Sequence, residues 1–186
     1  MISDMTERPF VKGIHCSAHR FELAYKDGTK DIPIHKKCEL LLLNLYLFYK
    51  YSSLNRANLK IAFDSIGKKM LVPTRVGGTR WLPHTERALK HVITGYDGIV
   101  LHLEQMQQNP SKESSAKARN FLKLLKDKSV ILWLHFMMDV VKSLGAVSMK
   151  IQDQQSTIAD IYSELDSAKA ILNKFKRSAC NSNLFT

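Results

Sequence analysis

The 186-residue chain has few cysteines, no long apolar run and no secretory leader, and each absence excludes a class of protein. Its three cysteines are an odd number and lie far apart, which argues against a disulfide framework and for a reducing compartment. The longest apolar segment, 40–48, is interrupted by Asn44 and falls well short of the roughly 18 residues that a membrane span needs. The N-terminus lacks the basic start and apolar segment of a secretory signal. We therefore expect an intracellular protein that is not embedded in a membrane.

The motifs of common hydrolases and nucleotide-binding enzymes are also absent. The chain has no G-x-S-x-G, P-loop, G-x-G-x-x-G or H-E-x-x-H pattern, and its acidic residues are not paired on one helix face. His102 lies on an apolar helical stripe, where a hydrogen-bonded core histidine is the expected structure. The residues thus contain no recognisable hydrolytic machinery.

Positive charge is what the chain has in excess. It holds 28 Lys and Arg against 17 Asp and Glu, a net charge of +11. The excess is concentrated in 50–90, where nine basic residues are opposed only by Asp64 and Glu86. Tyr49, Tyr51 and Trp81 lie within or beside this stretch, and cations interleaved with aromatic rings are typical of a surface that tracks phosphates and stacks on bases. The same composition is equally typical of a solvated basic face that keeps a protein soluble.

The apolar spacing predicts a mainly α fold with one or two short strands. A strand is predicted at 10–16, helices follow from Ser17, Pro33 and Ser53, and 68–81 is expected to be extended chain or loop with a short strand at 70–72. Everything after Trp81 has helical spacing. We expect a disordered terminus at 1–9, a first unit at 10–81, a helical unit at 82–177 and a disordered tail at 178–186.

Two cysteines and two histidines form a candidate zinc site. Cys16 and His19 are spaced C-x2-H, and His35 and Cys38 are spaced H-x2-C, which is the ligand set and the tight pair spacing of structural zinc sites. The first pair falls where a predicted strand passes into a helix and the second lies in a helix, whereas zinc fingers usually place at least one pair on a tight turn. Buried cysteines and ordinary core histidines account for the same residues more simply.

A glycine-rich segment, 77–81, ends in Arg80 and Trp81. At the end of a flexible loop, a guanidinium can contact phosphate and an indole can stack on a base. A tryptophan that anchors the core is the competing interpretation.

The order of several motifs resembles the catalytic region of hAT-superfamily transposases. The resemblance rests on His15-Cys-Ser-Ala-His-Arg-Phe-Glu-Leu-Ala24, on Thr79-Arg-Trp81, on 134–144 (LHFMMDVVKSL) and on Lys150-Ile-Gln152. It covers about 10–175, and host-domesticated or decayed animal copies, labelled zinc-finger or SUMO-ligase-like, are the most similar kind. It implies an RNase H-like core interrupted by a long helical insertion, of which this chain is a fragment.

The resemblance also implies roles for particular residues. His19 is expected at the DNA backbone, Cys16 has a structural role, and Arg80 with Trp81 contacts phosphate and a base. The three metal-binding acids of that family have no match here, because 1–15 are too few for the two aspartate strands and the chain ends before the glutamate segment. Since two-metal cleavage of DNA needs these carboxylates, we expect neither catalysis nor the family's divalent metal in this chain.

We therefore predict a nuclear, transposase-derived protein that binds DNA non-specifically and in a salt-sensitive way. The predicted DNA-binding residues are His19, Lys68, Lys69, Arg75, Arg80, Trp81 and Arg87. Two alternatives stay open: a protein-interaction or self-association module using helices 83–108 and 129–175, and a small domain stabilised by zinc at Cys16, His19, His35 and Cys38.

Overall fold

The computed structural model describes residues 16–77, 81–108 and 112–182 and is mainly helical, as expected. Eight helices are present in these ranges: α1 (Ser17–Thr29), α2 (Pro33–Lys50), α3 (Ser53–Ser65), α4 (Trp81–Thr94), α5 (Tyr96–Gln107), α6 (Lys112–Leu125), α7 (Lys128–Gln152) and α8 (Ile158–Ser182). The described part of the chain contains no strand, so the strand predicted at 70–72 is wrong. That segment is a loop whose apolar side chains pack against helices instead of pairing with another strand. The strand predicted at 10–16 lies outside the described residues except for Cys16, which precedes α1.

Local chemistry fixes several helix ends. The Ser52 hydroxyl accepts a hydrogen bond from the Asn55 amide at 3.1 Å and caps α3, which begins at Ser53 as expected. Gly67 follows the end of α3 by two residues, and its positive φ of 65° lets Lys68 donate to the Phe63 carbonyl, while Gly67 donates to that of Asp64. This pair of bonds is the Schellman arrangement that glycine favours. The Asp127 carboxylate caps α7 through the Ser129 amide at 2.9 Å.

Three helix boundaries differ from the prediction. The helix expected from 83 to 108 is two helices separated at Gly95. The helix expected from 129 to 175 is interrupted at 153–157, between α7 and α8. α8 extends to Ser182, into the segment 178–186 that was expected to be disordered.

The helix α7 is central to the packing. Its buried residues include Val130, Leu134, Met137 and Val141, at the spacing of three and four that places side chains on one face. α1, α2, α4 and α8 all pack against it. By length and composition alone, α7 is long and apolar enough to cross a membrane. The core helix of a soluble protein meets the same two criteria. Here one face of α7 packs against other helices of the bundle, while Leu132, Phe136 and Met149 are exposed.

The second centre of the fold is α5, which packs between α3 and α6. One apolar cluster joins both centres and includes residues on each side of Trp81, such as Leu45 of α2, Leu89 of α4 and Leu103 of α5. The described helices therefore share one core. The division into units at 10–81 and 82–177 remains a prediction.

A buried polar pair crosses this core. The Tyr49 hydroxyl and His102 Nδ1 lie 3.0 Å apart, and both side chains are almost fully buried. Burial lowers the pKa of His102 to about 4, so the ring is neutral at physiological pH. A hydrogen-bonded core histidine was the expected structure at this position.

The buried His102 predicts acid sensitivity. Its folded-state pKa lies below the ordinary value of 6.5, so the unfolded chain binds the proton first as pH falls. This group's contribution to stability is full above about pH 6.5 and is lost as pH falls toward 4, by roughly 2–3 kcal/mol. Urea unfolding between these pH values should show a shallower pH slope in His102→Gln than in the wild type. Equal slopes would contradict the buried neutral ring.

A glycine at the contact of α3 with α5 predicts a steric effect. A Cβ at Gly98 would lie 2.6–2.7 Å from atoms of the buried Phe63 ring. Gly98→Ala should therefore lower the free energy of unfolding by about 1–3 kcal/mol, since the packed ring has to move. Gly28→Ala is the control, because nothing lies within 4 Å of its Cβ position and alanine is the better helix former. Denaturant titration of both variants makes the comparison, and an unaffected Gly98→Ala would contradict the close contact.

Candidate nucleic-acid interface

Four basic side chains from three helices and a loop surround one cavity of about 450 Å³. They are Lys50 of α2, Arg56 of α3, Arg75 of the loop 68–77 and Arg87 of α4. Tyr46, Thr74 and His84 are polar neighbours in the same lining. We call this site the basic cavity. No acidic side chain lines it among the described residues.

The chain turns bring these cations together. Lys50 is the last residue of α2 and Arg56 lies in the first turn of α3, with only Tyr51 and Ser52 between the two helices. On α4, His84 and Arg87 are three residues apart and therefore lie on the same face. The loop between α3 and α4 passes between these elements and contributes Thr74 and Arg75.

The loop 68–77 is held in place by contacts of residues before and after Pro73. The His91 ring Nδ1 lies 2.7 Å from the Val72 carbonyl oxygen, which ties the loop to α4. Pro73 is buried, and the apolar side chains of Met70, Leu71 and Val76 pack against the core. Arg75 is exposed next to this anchored segment, so the fold sets the position of its backbone.

The charges of the basic cavity are not neutralised within the described protein. None of the four cations has an ion pair with a described carboxylate. Glu86 lies against α7, with its Oε2 3.5 Å from the Cβ position of Gly145, and does not line the cavity. Since like charges repel, a bound anion would relieve an unfavourable arrangement.

Lys50 is positioned by two aromatic rings. Its ammonium lies 5.4 Å from the ring centre of Tyr46 and 5.1 Å from that of Tyr51. The hydrogen bond with Tyr46 raises the pKa of Lys50, with smaller contributions from both tyrosines. The group is therefore fully charged at neutral pH, and its side chain lies beside Tyr46 at the cavity wall.

The structure brings together only part of the predicted site. Arg75 and Arg87 line the basic cavity. Lys69 is exposed on the loop, and Lys68 forms an ion pair with Asp97 of α5. His19 is exposed on the first turn of α1 and does not line the cavity, while Cys16 is exposed beside it.

The Arg-Trp motif cannot be compared with this geometry. Arg80 and the Trp81 side chain lie outside the described residues, and only the backbone of Trp81 is placed, at the start of α4. The cavity also includes Lys50 and Arg56. Both belong to the basic stretch 50–90, but neither was among the predicted DNA-binding residues. The charge excess was the only feature of the sequence that indicated Lys50 and Arg56, because their convergence with Arg87 depends on tertiary packing.

The candidate zinc ligands are not brought together. No group of three or more possible metal ligands exists in the described part of the chain, which includes Cys16, His19, His35 and Cys38. Cys16 is exposed, whereas Cys38 is buried and burial raises its pKa to about 11, which disfavours the thiolate that binds zinc. His35 Nε2 lies 3.6 Å from Glu39 Oε1, and its ring has edge contacts with Tyr25 and Trp133. The zinc-site alternative is therefore wrong for this fold.

This arrangement predicts that chelation has no effect on folding. Purified protein dialysed against EDTA should keep its thermal midpoint, because in the ranges 16–77, 81–108 and 112–182 no set of four ligands closes around an ion. Cys16→Ser and His19→Ala should likewise unfold at the wild-type temperature, since both side chains are exposed. Differential scanning calorimetry with and without the chelator makes this comparison. A midpoint that falls with EDTA and recovers with zinc would contradict the structure.

No protein-family model matches the chain, and no solved structure matches its fold. The likeness to hAT transposases therefore rests on the order of its sequence motifs alone.

Proposed function

We propose that the chain is a non-catalytic, transposase-derived protein that binds the DNA backbone through the basic cavity and the exposed cations near it. The observation that carries the proposal is the convergence of Lys50, Arg56, Arg75 and Arg87 in a lining to which no described residue contributes a carboxylate. Arginine in particular donates two parallel hydrogen bonds to phosphate oxygens. Three of the four cations are arginines.

The charge distribution supports DNA rather than a small neutral ligand. Nucleic acid carries a condensed layer of counterions, and a protein that replaces them gains free energy from their release. Lys60, Lys69 and Lys90 are exposed in the same part of the chain and add to the positive field. Binding of this kind does not read base sequence, and it weakens steeply as salt concentration rises.

The remaining parts of the proposal rest on the resemblance to hAT transposases. A nuclear location and an origin from a transposon follow from it. The absence of catalysis follows from the acids that have no match in the sequence. His19, Arg80 and Trp81 stay predicted DNA contacts on the same ground.

The proposal predicts that two cavity arginines are needed for binding. Arg75→Ala with Arg87→Ala should weaken binding to a short fluorescent duplex at least about tenfold in low salt, because two phosphate contacts are lost. Fluorescence anisotropy measures the affinities. The matched control is Arg119→Ala with Arg177→Ala, two exposed arginines on α6 and α8 outside the cavity, which removes the same charge. Equal losses in both double variants would show that net charge rather than the cavity binds DNA, and no binding by the wild type would refute the proposal.

A second function is favoured by the exposed apolar residues of α7 and α8. Large apolar side chains are exposed on these helices: Leu132, Phe136, Met149, Ile158, Tyr162 and Ile171. Such residues are typical of a helical protein-interaction surface, in the segment predicted for self-association. A chain that binds no DNA but forms concentration-dependent oligomers would have this function instead.

A further inference from the structure

We infer that the basic cavity binds the terminal phosphate of a nucleic-acid strand, a phosphomonoester, in preference to the phosphodiesters along the strand. This inference rests on the proposed function and adds which part of the nucleic acid enters the cavity. It is carried by the concave shape of the site, its charge and an unpartnered hydroxyl in its lining.

The shape of the site suits a strand end. A cavity of about 450 Å³ lies in the range of roughly 300–1,000 Å³ typical of pockets for small ligands. Its walls come from α2, α3, α4 and the loop 68–77, so the exposed cations line an open concave site instead of a flat surface. A strand end inserts a single phosphate into such a volume, whereas a continuous backbone has to enter and leave it.

The charge of the site suits a phosphomonoester. At neutral pH a terminal phosphate carries about −1.5 to −2 charges and three acceptor oxygens, whereas an internal diester carries one negative charge. Lys50, Arg56, Arg75 and Arg87 together offer more donors and more charge than one diester uses. The extra charge and the extra oxygen of the monoester therefore increase its attraction to this site.

Thr74 offers a donor that the protein itself does not use. Its Oγ1 is buried and has no hydrogen-bond partner among the described residues, although Thr74 lines the cavity. A buried hydroxyl without a partner is unfavourable, and rotation about χ1 would let it donate to a phosphate oxygen. The neighbouring Pro73 and the His91 contact to Val72 hold the loop, so little ordering is needed on binding.

The test compares single strands that differ at one end. A 3′-labelled strand of about 12 nucleotides is titrated with the full chain by anisotropy, once with a 5′-phosphate and once with a 5′-hydroxyl. A strand one nucleotide longer with a 5′-hydroxyl matches the number of phosphates. We expect the 5′-phosphorylated strand to bind about tenfold more tightly than both hydroxyl strands, and inorganic phosphate to compete mainly for that difference.

Two variants locate the preference in the cavity. Thr74→Val keeps the shape of the side chain and removes the hydroxyl, so it should reduce the preference at least about threefold without lowering the thermal midpoint. Arg75→Ala should reduce it further, while Arg119→Ala, outside the cavity, should leave the ratio unchanged.

The outcomes separate this inference from the proposed function. Equal binding of all three strands, lost in the Arg75 and Arg87 double variant, would overturn the preference for a terminal phosphate and leave DNA binding intact. No binding of any strand or duplex would overturn both. A preference that Thr74→Val and Arg75→Ala leave unchanged would place the phosphate elsewhere and also overturn the inference.

Discussion

Apolar packing between α2, α4 and α7 is the constraint on which the rest of the structure depends. Leu45 and Tyr49 of α2 and Leu89 of α4 are almost fully buried in the cluster that also contains Val141 of α7. Burying one such side chain contributes about 1.5–3 kcal/mol. Two exposed cations at close range repel each other by only about 1 kcal/mol in water. The core therefore determines where α2 and α4 lie, and the cations at the end of α2 and on α4 are held near each other as a result.

Because the repulsion between exposed cations is small compared with the burial of apolar side chains, the fold can leave the basic cavity available for a ligand. A fold that gathers cations without carboxylates loses little stability while water surrounds them. Salt bridges elsewhere on the surface, such as Lys117 with Glu113 and Lys126 with Glu104, show that this chain pairs its charges where carboxylates are near. At the basic cavity Glu86 lies toward α7 instead. The missing counter-charge is what a phosphate would supply.

Local signals in the sequence predicted the helical class and several helix ends, because capping and glycine conformation act within a few residues. The helix starts expected at Ser17, Pro33 and Ser53 are those of α1, α2 and α3. The buried environment of His102 followed from its place on an apolar stripe. The break at Gly95 was missed, although the position requires glycine: a Cβ there would lie 2.6 Å from the His91 carbonyl oxygen and 3.2–3.3 Å from side-chain atoms of Phe63 and Leu71.

The site was predicted only in part because its residues are brought together by tertiary packing. The charge excess of 50–90 indicated a basic surface and included Arg75 and Arg87, but spacing alone does not show which cations meet. Lys68 and Asp97 are 29 residues apart, and their pairing depends on the packing of α3 against α5. The zinc alternative failed because pair spacing suited a metal, whereas the helices placed His35 and Cys38 in the core. Residues 134–144, part of the transposase resemblance, lie in α7, where they form much of the packing surface.

The central claim is that nucleic acid binds at the basic cavity, and NMR mapping tests it most directly. Backbone amide shifts of the labelled chain are followed while a short DNA is added at low salt. The account predicts that the largest changes fall at Thr74, Arg75, His84 and Arg87 and that they reverse as salt is raised. Changes confined to the exposed apolar residues of α7 and α8, or no changes at all, would contradict it.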